Sequence, residues 1–198
     1  MKTNKLFKTS LLIIGLILVL SFGVSSVAAA NSNSTIYVNT TGNDLNNGSS
    51  WQHAKATITN ATGTVANNGT IYIANGTYYE HSINIKTNMT IIGESQTGTI
   101  INAQGNGNIF NIASGVTVIL KNLTLENGNA GSGVGGSIYN NGNLTVSGST
   151  FTDNTGWHAG AIYNDGTLTV TGSTFTDNTA YSADGGAIFN YIGKNLTE

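Results

Sequence analysis

The chain has 198 residues, of which 26 are Gly, 28 Asn and 28 Thr, while charged residues make up 8 per cent and Pro, Cys and Arg are absent. Disulfide frameworks and thiolate metal sites are thereby excluded, and seven Lys without Arg against nine acids form no basic patch for a phosphate backbone, which argues against nucleic acid as a partner. A hydrophobic share of 39 per cent with a net charge of −2 is too apolar and too weakly charged for a disordered chain. In chain order, Met1–Lys8 carries three Lys, Leu11–Leu20 is wholly apolar, and Ser21–Ala30 turns small, ending in Ala28-Ala29-Ala30. These are the three parts of a secretory signal peptide, expected over residues 1–30 and implying a secreted or cell-surface location. A retained anchor is the alternative, but the apolar run is short for the roughly 30 Å of hydrocarbon that an anchor must cross. Removing the peptide leaves four Lys against nine acids, a net charge of −5.

Residues 31–66 read as an N-terminal capping segment with a short helix. Ser49 or Ser50 is its expected N-cap, and Trp51, Ala54, Ile58 and Ala61 fall on one helical face. Such a segment covers what would otherwise be an open sheet edge.

Residues 67–198 are repetitive. Gly142–Thr155 matches Gly166–Thr179 without gaps, at twelve of fourteen positions and an offset of 24. Ahead of each copy stands a further box, Gly136-Ser-Ile-Tyr-Asn140, Gly160-Ala-Ile-Tyr-Asn164 and again Gly186-Ala-Ile-Phe-Asn190. Weaker copies upstream are expected at Val116-Thr-Val118, Leu123-Thr-Leu125, Thr90-Ile-Ile92, Thr99-Ile-Ile101 and Asn108-Ile-Phe110, with Ile71-Tyr-Ile73 and Ile83-Asn-Ile85 opening the series. Alternating β-branched and polar residues between Gly/Asn/Asp/Ser turns indicate strands. Three strands in 24 residues, repeated in register, predict an all-β parallel β-helix of about five coils, each strand pairing with its copy about 4.8 Å away. Leu144, Val146 and Phe151 should point inward, with Thr145, Thr150 and Thr152 outward. Asn140, Asn164 and Asn190, and likewise Asn154 and Asn178, should stack at corners through their amides and tolerate left-handed backbone there. Lys194–Glu198 restarts the Gly-Asn-Leu-Thr strand and stops, so an uncapped C-terminal coil, a longer parent chain and end-to-end self-association are expected.

Residues 36–192 resemble the right-handed β-helix, pectate-lyase-like repeat proteins, and within them the adhesin-like surface proteins of methanogenic archaea and the polymorphic outer-membrane protein repeats. The residues that carry the likeness are Ile36-Tyr-Val38, Gly48-Ser-Ser-Trp51, Gly69-Thr-Ile-Tyr-Ile73, Thr90-Ile-Ile-Gly93, the Gly-Ala-Ile boxes at 160 and 186, and Phe151/Asn154 with Phe175/Asn178. The resemblance implies a right-handed helix at a cell surface. It implies no single activity, because the fold hosts lyases, hydrolases and inert stalks.

The residues that could do chemistry are few. Asp153 and Asp177 occupy one place in successive coils, and such a carboxylate pair could hydrolyse a glycoside or hold Ca²⁺, but Asp-Asn is also turn chemistry. Asp165 and Asp184 read as turn residues too. The lyases resembled here commonly use an arginine base, which is missing, and Lys121 and Lys194 each stand alone. His53, His81 and His158 share no metal spacing, and Gly131–Gly136 has the glycines of a phosphate loop without its Lys-Ser/Thr ending. No catalytic residue, metal site or cofactor is therefore assigned.

Two surface features remain. Tyr139, Tyr163 and Phe189 should form an aromatic column opposite Ile138, Ile162 and Ile188, exposed to stack against sugar rings if the Ile side chains point inward. Ten Asn-x-Ser/Thr sequons, at Asn33, Asn39, Asn47, Asn60, Asn68, Asn75, Asn88, Asn122, Asn143 and Asn195, are a modest excess over composition and mark possible N-glycosylation. The resulting expectation is an exported adhesin-like β-helix that presents a repetitive surface to glycans or partner cells. A polysaccharide-active β-helix enzyme, lyase or hydrolase, is the alternative.

Overall fold

A computed structural model of the chain describes residues 33–182, 185–191 and 193–197. The expected signal peptide, Asp184 and Glu198 lie outside them. The described residues form a parallel β-solenoid of about five turns. One coil shows how the repeat builds it. Ile138–Asn140, Asn143–Ser147 and Thr150–Thr152 are three short strands separated by turns. Each pairs in parallel with its copy in the next coil, as Ile138 with Ile162, Leu144 with Leu168 and Phe151 with Phe175.

Stacking gives three sheets. A long one of seven strands runs from Thr35–Val38 to Asn195–Thr197, and two of five strands follow it around each coil. Here the second sheet is the one containing Thr150–Thr152, and the third is the one containing Ile138–Asn140. A two-stranded sheet joins Thr155–Gly156 to Thr179–Ala180.

Alternation sorts side chains between tube and solvent. Leu144, Val146 and Phe151 are buried while Thr145, Thr150 and Thr152 are half-exposed. In-register columns such as Ile36, Ile71, Ile91, Leu120 and Val146 fill the interior. Each such side chain removed from water contributes about 1.5–3 kcal/mol. Phe151 and Phe175 stack at 4.7 Å with an interplanar angle of 4°.

The expected Asn ladders are present. Asn140 Nδ2 donates to Asn164 Oδ1 and Asn164 Nδ2 to Asn190 Oδ1, each at 2.6 Å, and Asn154 Nδ2 donates to Asn178 Oδ1 at 3.0 Å. The left-handed backbone, however, is not on these residues. Beside the Asn154–Asn178 ladder it falls one position earlier, on Asp153 and Asp177 with Asn127 in the same place a coil upstream, and at another corner on Asn122, Gly148 and Gly172, all with φ between 52° and 55°. Asn140, Asn164 and Asn190 lie in strands and keep extended backbone.

One upstream copy pairs two residues later than expected. Val118-Ile-Leu120, not Val116-Thr-Val118, aligns with Leu144-Thr-Val146. A slip of two leaves the inward face unchanged. The turn decides, because this register sets left-handed Asn122 at the corner occupied by Gly148 and Gly172. Around Asn108-Ile-Phe110 the strand is Phe110–Ile112, and Phe110-Asn-Ile112 aligns with Ile138-Tyr-Asn140.

The N-terminal segment also differs. Thr35–Val38 pairs with Gly69–Ile73, so the long sheet starts within residues 31–66. The expected single helix is split into a 3₁₀ turn, Trp51–His53, and an α-helix, Ile58–Thr64. Ser50 makes no side-chain cap, whereas Thr57 Oγ1 accepts from Asn60 N–H at 3.1 Å. Two remote carboxylates hold the break. Asp44 accepts from Ala56 N–H and Thr57 N–H, and Glu80 accepts from Ile58 N–H and Thr59 N–H. Ala54, Ile58 and Ala61 are buried as expected, but Trp51 is 43 per cent exposed. Beneath this segment the Tyr78 hydroxyl donates to Ala74 O at 2.9 Å. Burial, with Glu80 and Glu94 adding repulsion, pushes its pKa up to about 12.

Candidate functional site

The third sheet carries the aromatic column. Ile138 and Ile162 are fully buried, so alternation turns Tyr139, Tyr163 and Phe189 outward, where each is half-buried. Parallel register aligns the three. Tyr139 and Tyr163 centroids are 5.8 Å apart at 55°, and Tyr163 and Phe189 are 5.2 Å apart at 24°. His158 packs beside Tyr163 and Phe189 at 6.1 and 5.7 Å, and Tyr191 lies 6.4 Å from Tyr163. The same outward column continues upstream as Asn111 and Asn84, so aromatic and amide side chains share one stripe.

Loops between the second and third sheets shape the ground beside this stripe. They lengthen from residues 79–82 through 103–109 to 127–137. The longest stands as a wall over the shorter two and bounds a groove of about 530 Å³ lined by Asn106, Asn108, Asn111, Asn129, Val134 and Tyr139. Asn108 and Asn111 exchange amide hydrogen bonds at 2.6 and 3.2 Å, which sets their orientation. The Gly131–Gly136 run is part of this wall, with Gly131 at φ 56°. It turns a corner and opens no helix, which a phosphate loop would do.

A second polar recess of about 430 Å³ adjoins the groove, sharing Gly105 and Asn129, and is lined by Tyr79, Asn102, Gln104, Asn127 and Asp153 among others. Asp153 accepts from Thr152 Oγ1 at 3.2 Å. Its left-handed φ of 54°, repeated at 52° in Asp177, marks the turn role. Among the described residues no group of three or more His, Cys, Asp or Glu is placed to hold a metal ion.

The other singled-out residues are dispersed. Lys194 is not alone, since its Nζ lies 3.2 Å from Asp165 Oδ1. Lys121 is exposed on the long sheet. His53 hydrogen-bonds with Ser50 and His81 with Ser82. Six sequon residues, Asn47, Asn68, Asn75, Asn122, Asn143 and Asn195, are exposed; Asn33, Asn39, Asn60 and Asn88 are half-buried. Asn60 lies within the helix, and Asn39 Oδ1 already accepts from Thr41 N–H and Oγ1.

His158, Tyr191, Asn108 and Asn111 join the aromatic column as neighbours. No motif marks them. The only trace is the change in loop length from coil to coil. Chemically, the stripe offers flat apolar faces flanked by amide donors and acceptors, the combination that a sugar ring presents in complement. Comparisons of the chain with protein-family profiles, curated proteins and solved structures returned no match.

Proposed function

We propose that this protein is an exported, surface-displayed β-solenoid of the adhesin-like, pectate-lyase-like kind, whose third sheet binds glycans. The observation that carries this reading is the in-register, half-exposed run of Tyr139, Tyr163 and Phe189, opening onto an amide-lined groove at Asn108 and Asn111. Repetition supplies the mechanism. Successive coils offer weak contacts of one type along a rigid rod, and several engaged at once sum by avidity. The basic head, apolar run and small-residue exit of residues 1–30 support export, and the exposed sequons support glycosylation of the displayed chain. A glycan array probed with the protein and with Tyr163→Ala tests the reading. Loss of one stacking ring should weaken binding about tenfold, while Thr169→Ala on the long sheet should not. Equal binding by Tyr163→Ala and its parent refutes it.

One further reading has an observation behind it. Asp153 lines a recess beside Tyr79, as a polysaccharide-active site would require. Turnover on a polysaccharide panel that Asp153→Ala abolishes would replace binding by catalysis.

A further inference from the structure

The outer column of the long sheet changes character along the solenoid. In its later coils it reads Lys121, Ser147 and Thr171, but in the first three coils it reads Tyr37, Tyr72 and Ile92. Trp51, carried by the 3₁₀ turn, leans onto this run, with its ring centroid 4.7 Å from that of Tyr37 at 61°. Tyr37 in turn stacks on Tyr72 at 5.7 Å and 20°. Trp51 and Tyr72 remain 43 and 38 per cent exposed.

Together they form a recess of about 540 Å³ whose lining includes Trp51, Tyr72, Ile92, Glu94 and Asn122. Glu94 is there because of an insertion. The other corners between the long and second sheets use two residues, as at Asn122-Leu123 and Gly148-Ser149, whereas this one runs through residues 94–98. The inserted loop is tied down by Ser95 Oγ to Asn75 Oδ1 at 2.7 Å and by Gln96 Nε2 to Thr150 Oγ1 at 2.8 Å. Asn75 N–H donates to Glu94 Oε2 at 2.8 Å and fixes the carboxylate.

Apart from Glu94 and Asn122, the side chains around this recess are hydrocarbon or aromatic. A sugar carries a hydroxyl on most ring carbons and would leave many of them without partners here, unlike in the amide-lined groove of the third sheet. A primary ammonium would keep its water for the same reason. A quaternary ammonium needs no hydrogen bonds, presents methyl groups to the walls, and carries the positive charge that both an aromatic face and a carboxylate attract. We propose that the Trp51–Tyr72–Glu94 recess binds a trimethylammonium group. This site lies on a different sheet from the aromatic column, and its occupancy does not depend on the glycan reading.

Trp157→Phe leaves Trp51 as the only tryptophan, so its fluorescence reports the recess. Titration with tetramethylammonium and with choline should give a saturable change. The alcohol in which carbon replaces the choline nitrogen should bind at least about tenfold more weakly, as should Tyr72→Thr for choline. Glu94→Gln, which keeps an acceptor for Asn75 N–H, should weaken choline binding about fivefold. Tyr72→Thr installs the residue that the same column carries at Thr171, so its far-ultraviolet circular dichroism should match the parent's. Cosedimentation with phosphatidylcholine but not phosphatidylglycerol vesicles would assign the group to a lipid head. Choline binding without vesicle binding would assign it to a soluble source. The proposal is overturned by the absence of a saturable change, by equal affinity for the neutral alcohol, or by Tyr72→Thr and Glu94→Gln binding choline as the parent does.

Discussion

Removing one rung of the Asn ladder tests how the solenoid is held together. Asn164 Oδ1 accepts from Asn140 Nδ2 at 2.6 Å and from Gly166 N–H at 3.3 Å. Its Nδ2 donates to Asn190 Oδ1 at 2.6 Å, Asn195 O at 3.2 Å and Gly166 O at 3.3 Å. At about 1 kcal/mol net per bond, with part offset by the partners' remaining contacts, Asn164→Ala should cost about 3–5 kcal/mol. Asn140 Nδ2, for instance, keeps Thr167 O at 3.0 Å. The exposed Asn143, changed the same way, should shift stability by no more than about 0.5 kcal/mol. Asn164→Asp sharpens the test because its size is unchanged. It can still accept from Asn140 and Gly166, but it faces Asn190 Oδ1 with a second oxygen and no proton. It should be at least as destabilising as Asn164→Ala near neutral pH, and should recover on acidification as the protonated acid regains one donor. Repeat arrays can unfold in steps, so the assay is equilibrium denaturation combined with amide hydrogen exchange in the flanking strands. Asn164→Ala within about 0.5 kcal/mol of the parent would refute the ladder as a stabilising device.

Glu80→Ala removes the carboxylate that accepts from Ile58 N–H at 2.7 Å and Thr59 N–H at 2.8 Å, and should cost about 1–2 kcal/mol, with exchange protection at those two amides falling first. Tyr78→Phe should cost about 1 kcal/mol near neutral pH through loss of the bond to Ala74 O. The Tyr78 pKa is raised from 10.0 to about 12, which favours the neutral phenol in the fold. Its contribution is therefore whole below pH 10 and is lost as pH rises through about 12. The parent should lose stability over that window that Tyr78→Phe does not, readable as thermal midpoints that draw together as pH rises. Ser137 Oγ is buried without a hydrogen-bond partner, in the place that Ala161 and Ala187 take in the next two coils. Ser137→Ala should accordingly stabilise the protein by about 1 kcal/mol in denaturant titration, and a loss of stability would contradict the assignment.

Much of this structure is legible in the chain because each coil repeats a local rule. Alternation in Asn143–Ser147 and Thr150–Thr152 is enough to send Leu144, Val146 and Phe151 inward. The 24-residue offset is enough to pair Asn140 with Asn164 and Tyr139 with Tyr163. Three things escape such a rule. A period of two cannot tell Val116-Thr-Val118 from Val118-Ile-Leu120, and the choice rests on a left-handed corner at Asn122. The break before Ile58–Thr64 is made by Asp44 and Glu80, which lie 13 residues before Thr57 and 22 residues after Ile58 and act only once the first coils have stacked. The surface recesses depend on loops from different coils meeting along the axis, as the 127–137 loop does over Asn108 and Asn111, and as the 3₁₀ turn and the 94–98 loop do around Tyr72.

Stacked parallel strands with Gly, Asn and Asp at the corners follow from the order of residues alone, because strand period and turn chemistry are properties of neighbours in the chain. Register, capping and the shape of the exposed faces follow from the fold, because they depend on groups that are remote along the chain and become neighbours when one coil lies on the next.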